Sequence, residues 1–331
     1  MSQQALRQVL PQLPISFDRN VLVSSKTFDD AGVYRLDRHR ALVQTVDFFT
    51  PIVDDPFSYG QIAAANSLSD IFAMGGRPLT ALNIVGFPAD LIPPRVVSSI
   101  LRGGLAKAAE VGCVIIGGHS IRNPEPIYGL AVTGVVDVRR LTANSNARPG
   151  NLLVLTKPLG TGIATTAIKR GIASRGLQKK VIALMSKINT VGAELAERRL
   201  VRAATDITGY GLIGHLASLC RASRVSADID PAAVPMIGPE IGDLIEQGCV
   251  PEGSRQNLHA TTVVADWGNT DEARRILLTD AQTSGGLLLC VAEVNLENVL
   301  SVLRKAGTHS AAVIGRIVPR RGRGPLICMT G

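Results

Sequence analysis

Two α+β domains are what the sequence predicts, on three observations. The 331 residues exceed what one hydrophobic core ordinarily serves. Strand-like and helix-like segments intermix in both halves, yet the strands of the first half are not spaced one by one with helices, as a doubly wound sheet requires. From Leu141 to Asn151 the chain turns polar and loop-like (LTANSNARPGN), which sets an expected boundary between a domain 1–145 and a domain 146–331.

In chain order, Gly32 to Leu36 reads as a short strand. Arg40 to Phe49 (RALVQTVDFF) is rich in strand formers and ends at Thr50-Pro51. Ser58 is the expected cap of a helix of small and apolar residues that runs to Met74 and stops at Gly75-Gly76. Leu79 to Phe87 is a second long strand. Pro93-Pro94 opens a helix whose Val97, Ile100, Leu101, Leu105 and Ala108 recur at helical spacing, and Gly112 closes it. Cys113 to Ile116 is an apolar strand leading into Gly117-Gly118-His119-Ser120, and Tyr128 to Val136 is another. The second half restarts with a strand from Leu152 to Thr156, a glycine-rich turn from Lys157 to Gly162, and a helix. A long helix from about Lys180 to Glu197, a helix from Tyr210 to Ser223 and a strand from Gly286 to Val291 follow.

Hydrophobic residues make up 46% of the chain, ample for burial and against disorder. Aromatics are only 4% and glycines number 33, so the core is aliphatic and tolerates close backbone approach. The net charge of +8 comes as scattered doublets, such as Arg139-Arg140 and Arg198-Arg199, with no interleaved aromatics. That pattern argues against nucleic acid and suits a phosphate-rich small substrate. Five cysteines without a Cys-x-x-Cys pair give neither a zinc site nor a disulfide framework, so a reducing cytoplasm is expected. The first residues lack the apolar core of a signal peptide, and no run approaches the ~20 residues of a membrane span.

Asp70 is the single charged residue between Phe57 and Gly76. An ionised carboxylate in a helix apolar nearly all round needs a cation, hydrogen-bond donors or an open cleft. A capping role or a pair with Arg77 is the bland alternative. Asp29-Asp30, Asp47 and Asp206 each stand at an element edge beside small or apolar residues, where carboxylates from separate segments can converge. Hard oxygen ligands without histidine or thiolate favour Mg²⁺ or Mn²⁺. For any one of them a turn or cap is the commoner use.

Gly209-Tyr210-Gly211-Leu212-Ile213-Gly214 matches the dinucleotide string G-x-G-x-x-G, but Ala203 to Thr208 is not a convincing strand and no acidic residue stands ~20 positions on. Helix entry and close packing explain these glycines. No P-loop string occurs. Gly117 to Ser120 offers backbone amides and a hydroxyl to a phosphate oxygen, or is a simple turn. Asp280 to Gly286 (DAQTSGG) reads as a tight turn.

Together the stretches TVDFFTPIVDDP (45–56), NSLSDIFAMGG (66–76), GGHS (117–120), LTKPLGTG (155–162), TDITGYGLIGHL (205–216) and DAQTSGGLL (280–288) resemble the selenophosphate synthetase family, also called selenide, water dikinases. The resemblance runs from about Val21 to Val318 with motifs in the same order. It implies a two-domain fold like that of aminoimidazole ribonucleotide synthetase, whose amino-terminal domain pairs into a homodimer. The implied reaction converts ATP, selenide and water to selenophosphate, AMP and orthophosphate. By motif position, Asp30, Asp70 and Asp206 are the implied Mg²⁺ ligands, and Thr27, Phe28, Asp29, Asp47, Asp70, Gly118, His119 and Ser120 the implied ATP contacts. Family members begin with a glycine-rich segment carrying a Cys or selenocysteine and then a lysine. Met1 aligns just past it, no cysteine precedes Cys113, and Lys26 is not the motif lysine. No catalytic residue of that kind is therefore assigned, and a chain that binds Mg-ATP but makes little selenophosphate is the expectation. An upstream selenocysteine codon, truncation and a noncatalytic paralogue all fit. A different enzyme of the same ATP-binding superfamily and a noncatalytic ATP-binding scaffold are the competing readings.

Overall fold

The computed structural model describes residues 18–88 and 90–330. The first half consists of β1 (Val21–Val23), β2 (Gly32–Arg35), β3 (Arg40–Phe49), α1 (Pro56–Ala73), β4 (Arg77–Phe87), α2 (Pro94–Glu110), β5 (Val114–Arg122) and β6 (Ile127–Asp137). Its six strands lie in the order β1-β2-β3-β6-β4-β5. Every neighbouring pair is antiparallel except β4 and β5, which run parallel because α2 carries the chain back between them.

The second half contains β7 (Leu152–Leu155), α3 (Thr161–Lys169), α4 (Arg175–Ser186), α5 (Val191–Glu197), β8 (Val201–Asp206), α6 (Gly211–Ser223), β9 (Ser226–Ile229), α7 (Glu240–Glu246), α8 (Glu252–Thr261), β10 (Ala265–Asp266), α9 (Glu272–Thr279), β11 (Leu287–Val291), α10 (Leu296–Lys305), β12 (Ala312–Val318) and β13 (Ile327–Met329). A seven-stranded mixed sheet orders them β10-β13-β9-β12-β7-β11-β8. The central strands β7 and β11 are apolar runs buried on both faces, whereas β3 alternates at its start, with Ala41 and Val43 buried.

Helix α1 explains its own composition. It packs on the first sheet, on α2, and on α4, α5 and β8 of the second half, so 14 of its residues are buried. Glycines let α1 and α2 touch backbone to backbone. A Cβ on Gly60 would lie 2.0 Å from the Ile100 carbonyl oxygen, and one on Gly103 would lie 2.1 Å from that of Phe57.

Four expectations need correction. Asp55, not Ser58, caps α1: its carboxylate accepts the Ser58 N–H at 2.8 Å, and Pro56 takes the first helical position, where no amide hydrogen is needed. The helix expected from Lys180 to Glu197 is two, α4 and α5. The chain breaks between them because the Lys187 carbonyl accepts from Lys157 Nζ at 2.7 Å, and Asn189 Nδ2 donates to Ser69 Oγ at 2.7 Å and to the Gly285 carbonyl at 2.9 Å. Val201–Asp206 is a strand after all, paired with β11. Gly117 to Ser120 is no turn but the continuation of β5, where a Cβ on Gly118 would sit 2.4 Å from the Asn83 carbonyl oxygen.

Candidate functional site

Four carboxylates from four segments meet where the helix-covered face of the first sheet abuts the end of β8. Asp47 shares its strand face with Thr45, two residues away. Asn66 of α1 donates to Asp47 Oδ2 at 2.6 Å, and its amide oxygen accepts the Ser284 N–H at 2.8 Å, so one side chain ties both halves to the site. One turn further along α1, Asp70 accepts from the Thr45 hydroxyl. Asp30, at the entrance to β2, accepts from Thr205 Oγ1 at 2.7 Å. Asp206 is the last residue of β8, and one ligand atom from each of Asp30, Asp206 and His215 lies within 4.8 Å of the other two.

Burial and mutual repulsion dominate the electrostatics. Asp30 is held well above the ordinary carboxylate range first by burial and then by Asp206. Asp70 is held up by burial, then by Asp47, Asp206 and Asp30 in turn. Burial lifts Asp47 to about 6, partly offset by the Asn66 hydrogen bond. Asp206 is lifted to about 7 by burial and by Asp47, against the pull of Ser69 and Lys157. Such a group of carboxylates is costly unless protons or a cation neutralise it.

The donor set fits a hard divalent cation. The ligand atoms are carboxylate oxygens, and Asp206 Oδ2 is buried with no hydrogen-bond partner among the described residues. His215 is placed as a prop. Its Nε2 accepts the Thr208 N–H at 3.2 Å, so the ring proton resides on Nδ1, 3.5 Å from Thr205 Oγ1. The Thr205 hydroxyl accepts there and donates to Asp30. Burial pushes the His215 pKa down to about 4, keeping the ring neutral.

The remaining expected residues are placed differently. Thr27 and Phe28 lie in the turn before β2, and Phe28 takes a left-handed φ of 53°. Asn144, between the two sheets, clamps this turn: its N–H donates to Asp29 Oδ1 at 2.6 Å and its Nδ2 to the Phe28 carbonyl at 3.1 Å. Asp29 Oδ2 is buried without a hydrogen-bond partner among the described residues. Gly118, His119 and Ser120 do not join the aspartates within one chain. Asp47, Leu130, Asn83 and Gly118 form one row across the first sheet, so Gly118 stands three strand spacings away, ~14 Å at ~4.8 Å each. His119 lies in the next row with Ile84, Gly129 and Phe48, and therefore on the open sheet face.

Sequence reasoning missed Thr45, Thr205, His215 and Lys157. Period-two spacing from Asp47 and adjacency to Asp206 were available signals for the two threonines. Lys157 is wholly buried, donates to the Lys187 and Ser284 carbonyls, and has its pKa lowered by burial to about 7. The stretch Asp280 to Gly286 plugs the start of α3: Asp280 Oδ2 accepts the Gly162 N–H at 3.0 Å, and Gln282 Oε1 accepts those of Gly160 and Thr161 at 3.1 Å. That helix N-terminus is thus closed by the protein's own groups. The start of α6 carries Gly211 against Thr279, in line with packing rather than dinucleotide binding.

Residues 28–136 match the AIR synthase related protein N-terminal domain and residues 148–326 the C-terminal domain of the same description, which defines the class. Solved structures agree in fold. A thiamine-monophosphate kinase from Stenotrophomonas maltophilia superposes with a TM-score of 0.67 at 20% identity, covering 95% of this chain and 92% of that one. The hydrogenase maturation protein HypE superposes at 0.61 and 20% identity, covering 96% and 89%. Within that class the chain belongs to the selenide, water dikinase family. It is 49% identical to the enzyme of Myxococcus xanthus over 94% of this chain and 89% of that one. It is 43% identical to that of Clostridioides difficile over 96% and 91%. By this kinship it is an ATP-dependent phosphotransferase.

Proposed function

We propose that the chain binds Mg²⁺-ATP at the converging aspartates and serves selenophosphate formation from ATP, selenide and water, with AMP and orthophosphate released. The observation that carries this reading is the meeting of Asp30, Asp47, Asp70 and Asp206, each raised by burial and three of them further raised by other members of the group: Asp30 by Asp206, Asp70 by Asp47, Asp206 and Asp30, and Asp206 by Asp47. Asp30, Asp70 and Asp206 are the proposed metal ligands; bound there, Mg²⁺ neutralises phosphate charge and stabilises charge on the transferring phosphoryl group. Thr45 and Thr205 aim the carboxylates, and His215 orients Thr205. Thr27, Phe28, Asp29 and Asp47 are proposed to border the nucleotide, with Asn144 holding the 27–29 turn.

Gly118, His119 and Ser120 reach a nucleotide, on this reading, from a second copy of the chain. Support comes from the open face of the first sheet, where Val46, Phe48, Leu82 and Ile116 are between 44% and 64% exposed in a contiguous region that includes His119. A homodimer formed through that face buries them. The two sheets support domains at 1–145 and 146–331. A reducing, cytoplasmic setting is supported by five free cysteines. No helix among the described residues is long and apolar enough to cross a membrane.

Burial raises the thiols of Cys113 to about 11 and Cys220 to about 12, so neither is an activated nucleophile. Turnover is tested by following AMP and orthophosphate from ATP with selenide, and with thiamine monophosphate as the competing acceptor. Selenide-dependent AMP, even at the low rate expected of this chain, supports the proposal; ADP formation that depends on thiamine monophosphate overturns it.

A further inference from the structure

Between the two sheets, where the Val138–Arg140 turn and the Asn144–Asn146 turn meet α5 and the start of β8, lies a cavity of about 470 Å³. Five arginines line it: Arg139, Arg140 and Arg148 from the connection, Arg199 and Arg202 from the other wall. Among the described residues no acidic side chain lines it. The carboxylates nearby are already engaged. Asp137 holds Arg139 at 3.4 Å and Arg140 at 3.9 Å, and Glu197, whose charge also feels Arg140, is gripped by both arms of Arg77 at 2.6 and 2.9 Å. Among the described residues no ion pair or side-chain hydrogen bond engages Arg199 or Arg202; Arg148 donates to the Ser145 and Ala147 carbonyls, and Arg140 Nε is buried with no hydrogen bond, the Asp137 carboxylate at 3.9 Å being its ion-pair partner.

Arg199 carries a second sign of use. It holds a left-handed φ of 56° just past the end of α5, a position where glycine is the ordinary choice. The chain accepts that strain and presents a guanidinium to the cavity instead. Like charges facing one concavity repel unless an anion fills it, and the planar guanidinium fork matches phosphate oxygens two at a time.

We propose that this cavity is a binding site for a small polyphosphate anion, separate from the aspartate cluster and independent of the function assigned to it. Arg202 and Asp206 are four residues apart on β8, ~13 Å along the strand, so one strand carries an anion-seeking end and a cation-seeking end. The volume accommodates a di- or triphosphate with or without a nucleoside. None of the described lining residues is aromatic, which disfavours a single-stranded nucleic acid that stacks its bases. An anion drawing Arg140 and Arg148 together also braces the connection from which Asn144 clamps Phe28 and Asp29.

The test is isothermal titration of the 331-residue protein with inorganic triphosphate in EDTA, since without a divalent cation the aspartates repel the anion. Pyrophosphate and ATP titrated in parallel distinguish a bare polyphosphate from a nucleotide. Saturable binding of one triphosphate per chain is expected, weakened about tenfold by Arg202→Gln and about a hundredfold by the Arg199→Gln, Arg202→Gln pair. Asp206→Asn leaves it within about twofold. Arg139→Gln, in the exposed connection, weakens binding in the same direction without touching β8, and melting curves check that each variant folds. Absent saturable binding, equal affinity in the double variant, or a ~20-nucleotide RNA that displaces triphosphate at lower concentration than ATP does overturns the proposal.

Discussion

Replacing Asp206 by asparagine removes one charge from the buried cluster while keeping the side chain's shape. Its carboxyl is held up to about 7 instead of the ordinary 3.8, which at ~1.4 kcal/mol per pH unit amounts to a cost on the order of 4 kcal/mol for the ionised form. The native state therefore binds more protons than the unfolded chain between about pH 4 and pH 7, and metal-free stability falls as pH rises through that window. Below about pH 4 the cost is absent; above about pH 7 it is fully present. Part of it is burial, which an asparagine amide also feels, so Asp206→Asn is expected to stabilise the metal-free protein at pH 8 by about 1–3 kcal/mol and to do little or slight harm at pH 4. Urea unfolding followed by circular dichroism in EDTA at both pH values reads the difference. Equal destabilisation at pH 4 and pH 8 would refute the convergence of charge.

Thr205→Val deletes the hydroxyl between His215 and Asp30, and is expected to weaken Mn²⁺ binding, read by electron paramagnetic resonance, by about tenfold while thermal stability changes little. Gly103→Ala drives a methyl to 2.1 Å from the Phe57 carbonyl oxygen and should cost about 2 kcal/mol or more, measured by chemical denaturation. Phe48→Glu places a charge on the open sheet face, where Phe48 is 51% exposed, so light scattering should find a smaller species than wild type while the melting curve of the second half is kept.

Much of this architecture was legible from residue pattern alone. The span of β3 matched to the residue because a ten-residue run rich in strand formers (Val43, Thr45, Val46, Phe48 and Phe49) ends at Thr50-Pro51. The isolated charge of Asp70 in an apolar helix pointed to its neighbours, since burial without a partner is too costly. Other features depend on contacts that periodicity does not carry. The break between α4 and α5 exists because Lys157 and Asn189 claim the backbone and side-chain partners at that point. The stretch Ala203 to Thr208 looked unconvincing as a strand because three of its six residues, Thr205, Asp206 and Thr208, are polar, and only the pairing of Val201–Asp206 with β11 reveals it. His119 was grouped with the aspartates by motif, and only strand order and register place it on the opposite sheet face. The role of Asn66 was half visible: its helical spacing to Asp70 is plain, but its bond to Ser284, 218 residues away, requires the fold.

The most direct measurement is calorimetric titration of ATP into the protein with and without Mg²⁺, repeated on Asp30→Asn, Asp70→Asn and Asp206→Asn. Magnesium-dependent uptake of ATP that each substitution weakens by about tenfold or more is the expected result. ATP bound equally well in EDTA, or magnesium-dependent binding untouched by all three, contradicts the assignment of these carboxylates to the nucleotide's metal.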